Sequence, residues 1–261
     1  MIPAFRLSRL VWMGCLASAL MPALLACEVN TRRESRVARD ARADEPAATY
    51  QSDVEEGLGA AVAILVDTSG SMAKDAPGDD RPKHEVAQAA LATMLDATEQ
   101  FIARRPDFPI KIGLYSFSSN VRTLMPIQRY DRTVVRTALS SIPPPGGGTA
   151  IGEALRTARP DLYRSGVFRK YLLVVTDGEN TSGRSPDDVA RDIFRKSDGA
   201  VQIYFVAFDT DPEKFAFLKE VGGDVIGAGN GPELRTALDG VYQGRILAEA
   251  AAPGERETTK K

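Results

Sequence analysis

Apolar residues in this chain gather in short unbroken runs, and stretches of helical spacing separate the runs. Ala61-Val62-Ala63-Ile64-Leu65-Val66, Ile110 to Phe117, Tyr171 to Val175 and Val201 to Phe208 each read as a strand buried on both faces. Between the first two, Val86, Ala89, Ala90, Met94, Ala97 and Phe101 recur at helical intervals. Pro82 suits the first turn of that helix and Pro106 marks its end. Ala73 to Arg81 reads as a surface loop. Val121 to Ile127, after a Ser-Ser-Asn turn, reads as a short hairpin partner at the sheet edge. Further helices are predicted from Asp131 to just before Pro143, from Ala150 to Arg159, from Asp187 to Lys196 and from Pro232 to about Leu247, with a brief strand at Val225-Ile226. Strands alternating with helices predict an α/β fold: a doubly wound, mostly parallel sheet with helices on both faces and one short antiparallel edge strand.

The ends of the chain carry a different pattern. Arg6 and Arg9 precede Leu10 to Ala26, which holds no charge, the layout of a secretory signal or of an uncleaved anchor. Leu24-Leu25-Ala26-Cys27 resembles the lipobox of bacterial lipoproteins, in which the Cys becomes the lipidated first residue; plain cleavage near Ala26 is the alternative. The resemblance implies a cell-envelope address on a lipid anchor at Cys27. Glu28, in place of a retention Asp, favours the outer membrane. Cys15 would leave with the signal, so Cys27 has no disulfide partner. From Glu28 to Gly59 the chain holds five arginines, eight acidic residues and few large apolar ones, a composition that does not offset chain entropy. The expected organisation is therefore a signal over 1–26, a lipidated Cys and disordered tether over 27–59, one domain over 60–249 and a polar tail over 250–261. Losing Arg6 and Arg9 takes the net charge from -2 to -4, and no basic stripe is present, which excludes the usual nucleic-acid binder.

The chemistry sits where strands end. The first apolar run stops at Asp67, followed by Ser69 and Ser71, and the third run stops at Thr176-Asp177. In a doubly wound sheet, neighbouring strands whose connections cross to opposite faces open a crevice at their carboxyl ends. Thr149, after Gly146-Gly147-Gly148, could reach the same point from a loop whose backbone approaches closely. The donors are hard oxygens without His or Cys, which suits Mg²⁺ or Mn²⁺ and argues against zinc. Taken singly, these residues are also ordinary turn and helix-cap residues.

Asp67-x-Ser69-x-Ser71, Thr149 after its glycines and Thr176-Asp177-Gly178 together resemble a von Willebrand factor A domain with a complete metal-ion-dependent adhesion site. Gly147 to Leu155 and Val175 to Asn180 are also similar to that family, and the resemblance spans about Ala61 to Leu247. It implies a Rossmann-like fold in which Ser69, Ser71 and Thr149 touch the ion directly, with Asp67 and Asp177 acting partly through water. Mg²⁺ is the expected ion, with Mn²⁺ or Ca²⁺ as alternatives. Six-coordinate Mg²⁺ keeps a position open over such a donor set. A partner protein's exposed Asp or Glu would fill that position, so the expected function is metal-dependent protein binding, with no small-molecule substrate. Met72, Ser118, Ser119, Gly146 and Glu179 are the expected rim.

Three other readings are weaker. Ser71-x-x-Lys74 matches a penicillin-binding-protein motif, but it falls in a loop and no Lys-Thr-Gly follows. His84, the single histidine, lacks a Gly-x-Ser-x-Gly elbow and reads as exposed and incidental. Gly146 to Thr149 lacks the Gly-Lys-Ser/Thr ending of a phosphate loop. The remaining alternative is an envelope scaffold in which the metal only braces the loops.

Overall fold

Successive residues of the first strand go to different cores. Val62, Ile64 and Val66 pack into one apolar layer and Ala61, Ala63 and Leu65 into another, all at most 2% exposed. That is the pleat of a strand covered on both sides, where alternate side chains leave opposite faces. The computed structural model describes residues 57–248. The expected signal, the lipidated Cys27, nearly all of the tether and the tail lie outside those residues.

Six strands form one sheet: β1 (Gly57–Asp67), β2 (Ile110–Phe117), β3 (Val121–Arg129), β4 (Val167–Thr176), β5 (Val201–Phe208) and β6 (Asp224–Ala228), in the order β3-β2-β1-β4-β5-β6. All neighbours are parallel except β2 and β3. The helices are α1 (Lys83–Arg104), α2 (Arg132–Ser140), α3 (Ile151–Tyr163), α4 (Pro186–Lys196) and α5 (Gly231–Val241). Residues of α1, α2 and α5 join the layer of Val62, whereas those of α3 and α4 join the layer of Leu65. The chain thus leaves β1 for β2 over one face and returns to β4, on the other side of β1, over the other. The topological switch falls beside β1, which puts a crevice at the carboxyl ends of β1 and β4. Each Val, Leu or Ile buried here contributes about 1.5–3 kcal/mol relative to exposure.

Several boundaries differ from the expectation. β1 starts at Gly57, so three of its residues fall in the stretch read as tether. A register shift between Gly57 and Ala60, at Gly59 with φ 149°, breaks the apolar run there. The antiparallel edge strand is nine residues long and not short. Its outer positions meet solvent, so little apolar pattern marks it. α3 continues past Arg159 with Pro160 inside it, because Leu162 anchors the last turn at 0% exposure and the Arg164 N–H closes on the Pro160 carbonyl. β4 begins at Val167, four residues before its apolar run, with Phe168 exposed. The last helix changes after Val241 to a wider π turn over Tyr242–Leu247.

Candidate metal centre

Parallel pairing of β1 with β4 sets Val66 beside Val175, which brings the next residues, Asp67 and Thr176, side by side at the sheet's carboxyl end. The Thr176 hydroxyl donates to Asp67 Oδ2 at 2.6 Å, and the Ser69 N–H donates to Oδ1 at 2.7 Å. A single 3-10 turn over Gly70–Ala73 then swings Ser71 towards β4. The Ser71 hydroxyl donates to Asp177 Oδ1 at 2.6 Å. This bond uses Ser71's one proton, so in the 3.0 Å contact between the two serine oxygens Ser69 is the donor. Both hydroxyl protons are then committed within the cluster, and each oxygen keeps at least one lone pair for an electrophile.

The Thr149 loop is hydrogen-bonded to the same turn. The Gly146 N–H donates to the Thr68 carbonyl at 2.8 Å, and the Gly70 N–H donates to the Gly147 carbonyl at 3.0 Å. Gly147 has φ 79°, which favours glycine, and a Cβ there would lie 2.8 Å from Ser119 Oγ and displace that hydroxyl. On its far side the Thr149 N–H donates to Thr181 Oγ1 at 2.8 Å, while the Thr149 carbonyl accepts from the N–H groups of Thr181 and Ser182. α3 is capped at Ala150 without a side-chain bond, so the Thr149 hydroxyl is not committed to capping. Asp67, Ser69, Ser71, Thr149 and Asp177 are thereby gathered from three loops, and of these only Ser71 is more than 7% exposed.

Two residues absent from the expected set complete the cluster. Lys83, in the first turn of α1, is 5% exposed, and its Nζ lies 3.0 Å from Asp177 Oδ2 and 2.6 Å from Asp209 Oδ2. Asp209 follows β5 and holds φ 51°, a conformation that Asp tolerates better than most residues. Its signal was present in the sequence: Val201 to Phe208 is a third apolar run that stops at an acid. Lys83 gave no such signal, since a cation at a helix start opposes the helix dipole and reads as a surface residue.

Electrostatics follow from burial. Removal from water pushes the Asp67 carboxyl up from 3.8 to about 6, and the Asp177 charge adds to this. Hydrogen bonds from Thr176 and Ser69 pull it part of the way back. Burial alone would lower the Lys83 ammonium, but its bonds to Asp209 and Asp177 outweigh burial and hold it above the ordinary lysine range. Three carboxylates and one ammonium leave two formal negative charges, which one divalent cation would offset. Among the described residues no group of three or more His, Cys, Asp or Glu could hold a metal ion. The donors are instead two carboxylates and hydroxyl oxygens, a hard set that fits Mg²⁺ or Mn²⁺.

Two expectations change. Met72 is fully buried in the core and does not belong to the rim. His84 is half-buried, with Nδ1 3.2 Å from the Met72 carbonyl, and is not exposed. Ser71 gives its proton to Asp177, and the ammonium bonded to that carboxylate belongs to Lys83, whereas Lys74 is exposed. Of the remaining rim residues, Ser119 Oγ accepts from the Gly148 N–H and Glu179 pairs with Lys214 at 3.2 Å.

Residues 62–179 match the family model of the von Willebrand factor type A domain. No curated protein sequence gives a significant match. Among solved structures, the chain is similar to the PilB minor pilin of Streptococcus sanguinis at 15% identity and TM-score 0.61, over 78% of this chain and 66% of the pilin chain. The chain thus spans just under two thirds of that relative. It is similar at 24% identity and TM-score 0.53 to an aerotolerance-related membrane protein of Bacteroides fragilis, over 71% of this chain and all of that one. A third likeness is to proximal thread matrix protein 1 of the mussel byssus, a structure described as having a zinc-occupied MIDAS motif. It is 19% identical with TM-score 0.55, over 76% of this chain and 47% of the other. At these identities the likenesses show the fold.

Proposed function

We propose that this von Willebrand factor type A domain binds a protein partner through a divalent cation held by Asp67, Ser69, Ser71, Thr149 and Asp177, and that an Asp or Glu of the partner completes the ion's coordination. One observation carries the reading: three carboxylates against one ammonium leave two formal negative charges beside serine hydroxyls whose protons are committed within the cluster. Mg²⁺ is the favoured ion and Mn²⁺ or Ca²⁺ would also fit oxygen donors; the zinc described for the mussel protein supports a divalent ion in a motif of this kind. When bound, the ion would supply an electrophilic position for a carboxylate. Ser69 and Ser71 would offer oxygens without charge, Asp67 would anchor the turn that presents them, and the Thr149 loop would close the third side.

The bracing alternative finds less support. The loops are already joined by Gly70 to Gly147, Gly146 to Thr68, Ala150 to Ser118 and Thr181 to Thr149 backbone bonds, with no need of an ion between them. The non-enzymatic reading is part of this proposal: the carboxylate that accepts from Ser71 is itself tied to Lys83, and the single histidine faces the Met72 carbonyl. Among the described residues no helix is long and apolar enough to cross a membrane. In this proposal the chain is attached to the envelope through a lipidated Cys27. Eleven residues of β1 separate Gly57 from the site by about 35 Å, so the chain enters the domain far from the proposed contact.

The test is capture on the immobilised full chain. Envelope proteins retained in Mg²⁺ should elute in EDTA, with retention falling at least about tenfold, a coupling typical of a single lost charge-assisted contact. Equal retention with and without EDTA would overturn the metal-bridged reading.

A further inference from the structure

We propose that Lys83 and Asp209 form a charge-setting pair that tunes cation affinity at the adjoining centre, Lys83 weakening it and Asp209 restoring it. The inference rests on the metal-site reading above and concerns two residues that hold no ligand position in it.

The geometry gives each residue its direction. Lys83 is an internal cation already bonded to Asp177, one of the two carboxylates a metal would use. An ammonium at 3.0 Å lowers the negative potential of that carboxylate and repels a second cation. Only Oδ2 of Asp177 is engaged by Lys83, while Oδ1 accepts from Ser71, so neither oxygen is free of protein partners. Each oxygen keeps a further lone pair, so Asp177 can still face an ion while Lys83 and Ser71 fix its orientation. Asp209 stands on the opposite side of the same ammonium, at 2.6 Å, and is 38% exposed at its side chain. It draws positive charge away from Asp177 and adds one negative charge at the edge of the crevice. Its N–H donates to the Ala228 carbonyl at 2.7 Å, which fixes the tight positive-φ turn that aims the carboxylate at Lys83.

The pair accordingly makes a prediction that packing alone would not. Removing either partner of a buried ion pair destabilises a fold, so a purely structural role moves both variants in one direction. A charge-setting role moves cation affinity in opposite directions. Lys83→Met keeps the length of the side chain and removes the charge, and should tighten Mn²⁺ binding about tenfold or more. Asp209→Asn keeps the shape and tolerates the positive φ, and should weaken it by about tenfold. The double variant should return to within about threefold of the unchanged chain, as expected for two coupled charges.

The measurement is Mn²⁺ titration calorimetry on the full chain and the three variants, with thermal midpoints in EDTA as a separate readout of folding. Opposite shifts for the two single variants support the proposal; equal affinity, or weakening in both, overturns it. If Lys83→Met fails to fold, Asp209→Asn decides alone, because Asp209 is itself partly exposed and its replacement spares the fold: unchanged or tighter binding there overturns the proposal. Loss of Mn²⁺ binding in the unchanged chain would overturn both this inference and the metal-site reading, whereas tight binding with unresponsive variants would overturn only this one.

Discussion

Asp67→Asn should fold, should be at least as stable as the unchanged chain in EDTA at pH 8, and should gain nothing from Mg²⁺. Folding is expected because the amide can replace each bond of the carboxylate. Its oxygen can accept from the Ser69 N–H, as Oδ1 does now at 2.7 Å. Its amino group would face Thr176 Oγ1, which now donates to Oδ2 at 2.6 Å. Thr176 can accept that new bond and turn its proton to the Gly178 carbonyl, already 3.2 Å away. Stability follows from the raised carboxyl. Its value in the folded chain, about 6, lies above the ordinary 3.8, so the fold prefers the protonated form. Without metal, the contribution of Asp67 to stability is complete below about pH 4, declines as pH rises through 6, and above that leaves a penalty of up to about 3 kcal/mol. The Asn variant lacks this slope. Saturating Mg²⁺ should remove the penalty in the unchanged chain, since the ion stabilises the ionised form, and should do nothing for the variant. Thermal denaturation at pH 4.5 and pH 8, with Mg²⁺ or EDTA, checks all four conditions. A Mg²⁺-induced shift as large in Asp67→Asn as in the unchanged chain would rule Asp67 out of the centre.

Much of this was legible because the strands of a doubly wound sheet are apolar on both faces. The runs at Val62, Ile112, Leu173 and Phe205 therefore announce the sheet, and an acid ending a run marks its ligand edge. Asp67 and Asp177 were found that way, and Thr149 by its three glycines, one of which the structure shows at φ 79°. The rule stops working at edges and at glycines. β3 has water on its outer face and offers no run, and β1 crosses its bulge at Gly59 before its run begins. The helix read as ending at Arg159 runs on through Pro160, because tertiary packing of Leu162 holds its last turn. Lys83 illustrates a different limit. A lysine beside Pro82 and His84 looks solvated in one dimension, and only the pairing order that lays β5 next to β4 sets Asp209 across from Asp177 around its ammonium. Charge compensation between distant segments is a property of topology and leaves no local pattern.

The same dependence on tertiary contact makes Gly152→Ala the most damaging single methyl expected in the domain. Helix propensity points the other way: in a free helix, alanine is favoured over glycine by about 1 kcal/mol. Gly152 sits in the first turn of α3, against the loop that joins β4 to α4. Its N–H donates to Asn180 Oδ1 at 3.3 Å, and Asn180 Nδ2 donates to the Arg184 carbonyl at 3.1 Å. A Cβ at this position would overlap the Arg184 carbonyl oxygen and stand 2.8 Å from its carbon and 3.1 Å from that of Ser185. All three are backbone atoms, so no side chain can rotate away. Nor can the helix retreat, because Ile151, Ala154, Leu155 and Ala158 are fully buried against the sheet. The strain must pass into residues 180–185, and Thr181 of that segment holds Thr149 on both sides of its peptide. Overpacking of this kind costs about 3 kcal/mol, or roughly 6–12 °C of thermal midpoint for a domain of this size. Mn²⁺ affinity should fall by about tenfold in parallel, although Gly152 touches no ligand, because displaced positioning groups loosen a site they do not enter. Gly240→Ala supplies the contrast: it lies in α5 with nothing within 4 Å of the added carbon, so it should raise stability slightly and leave the metal titration unchanged. A Gly152→Ala chain as stable as Gly240→Ala would show that the loop yields freely, and the coupling between α3 and the Thr149 ligand would fall with it.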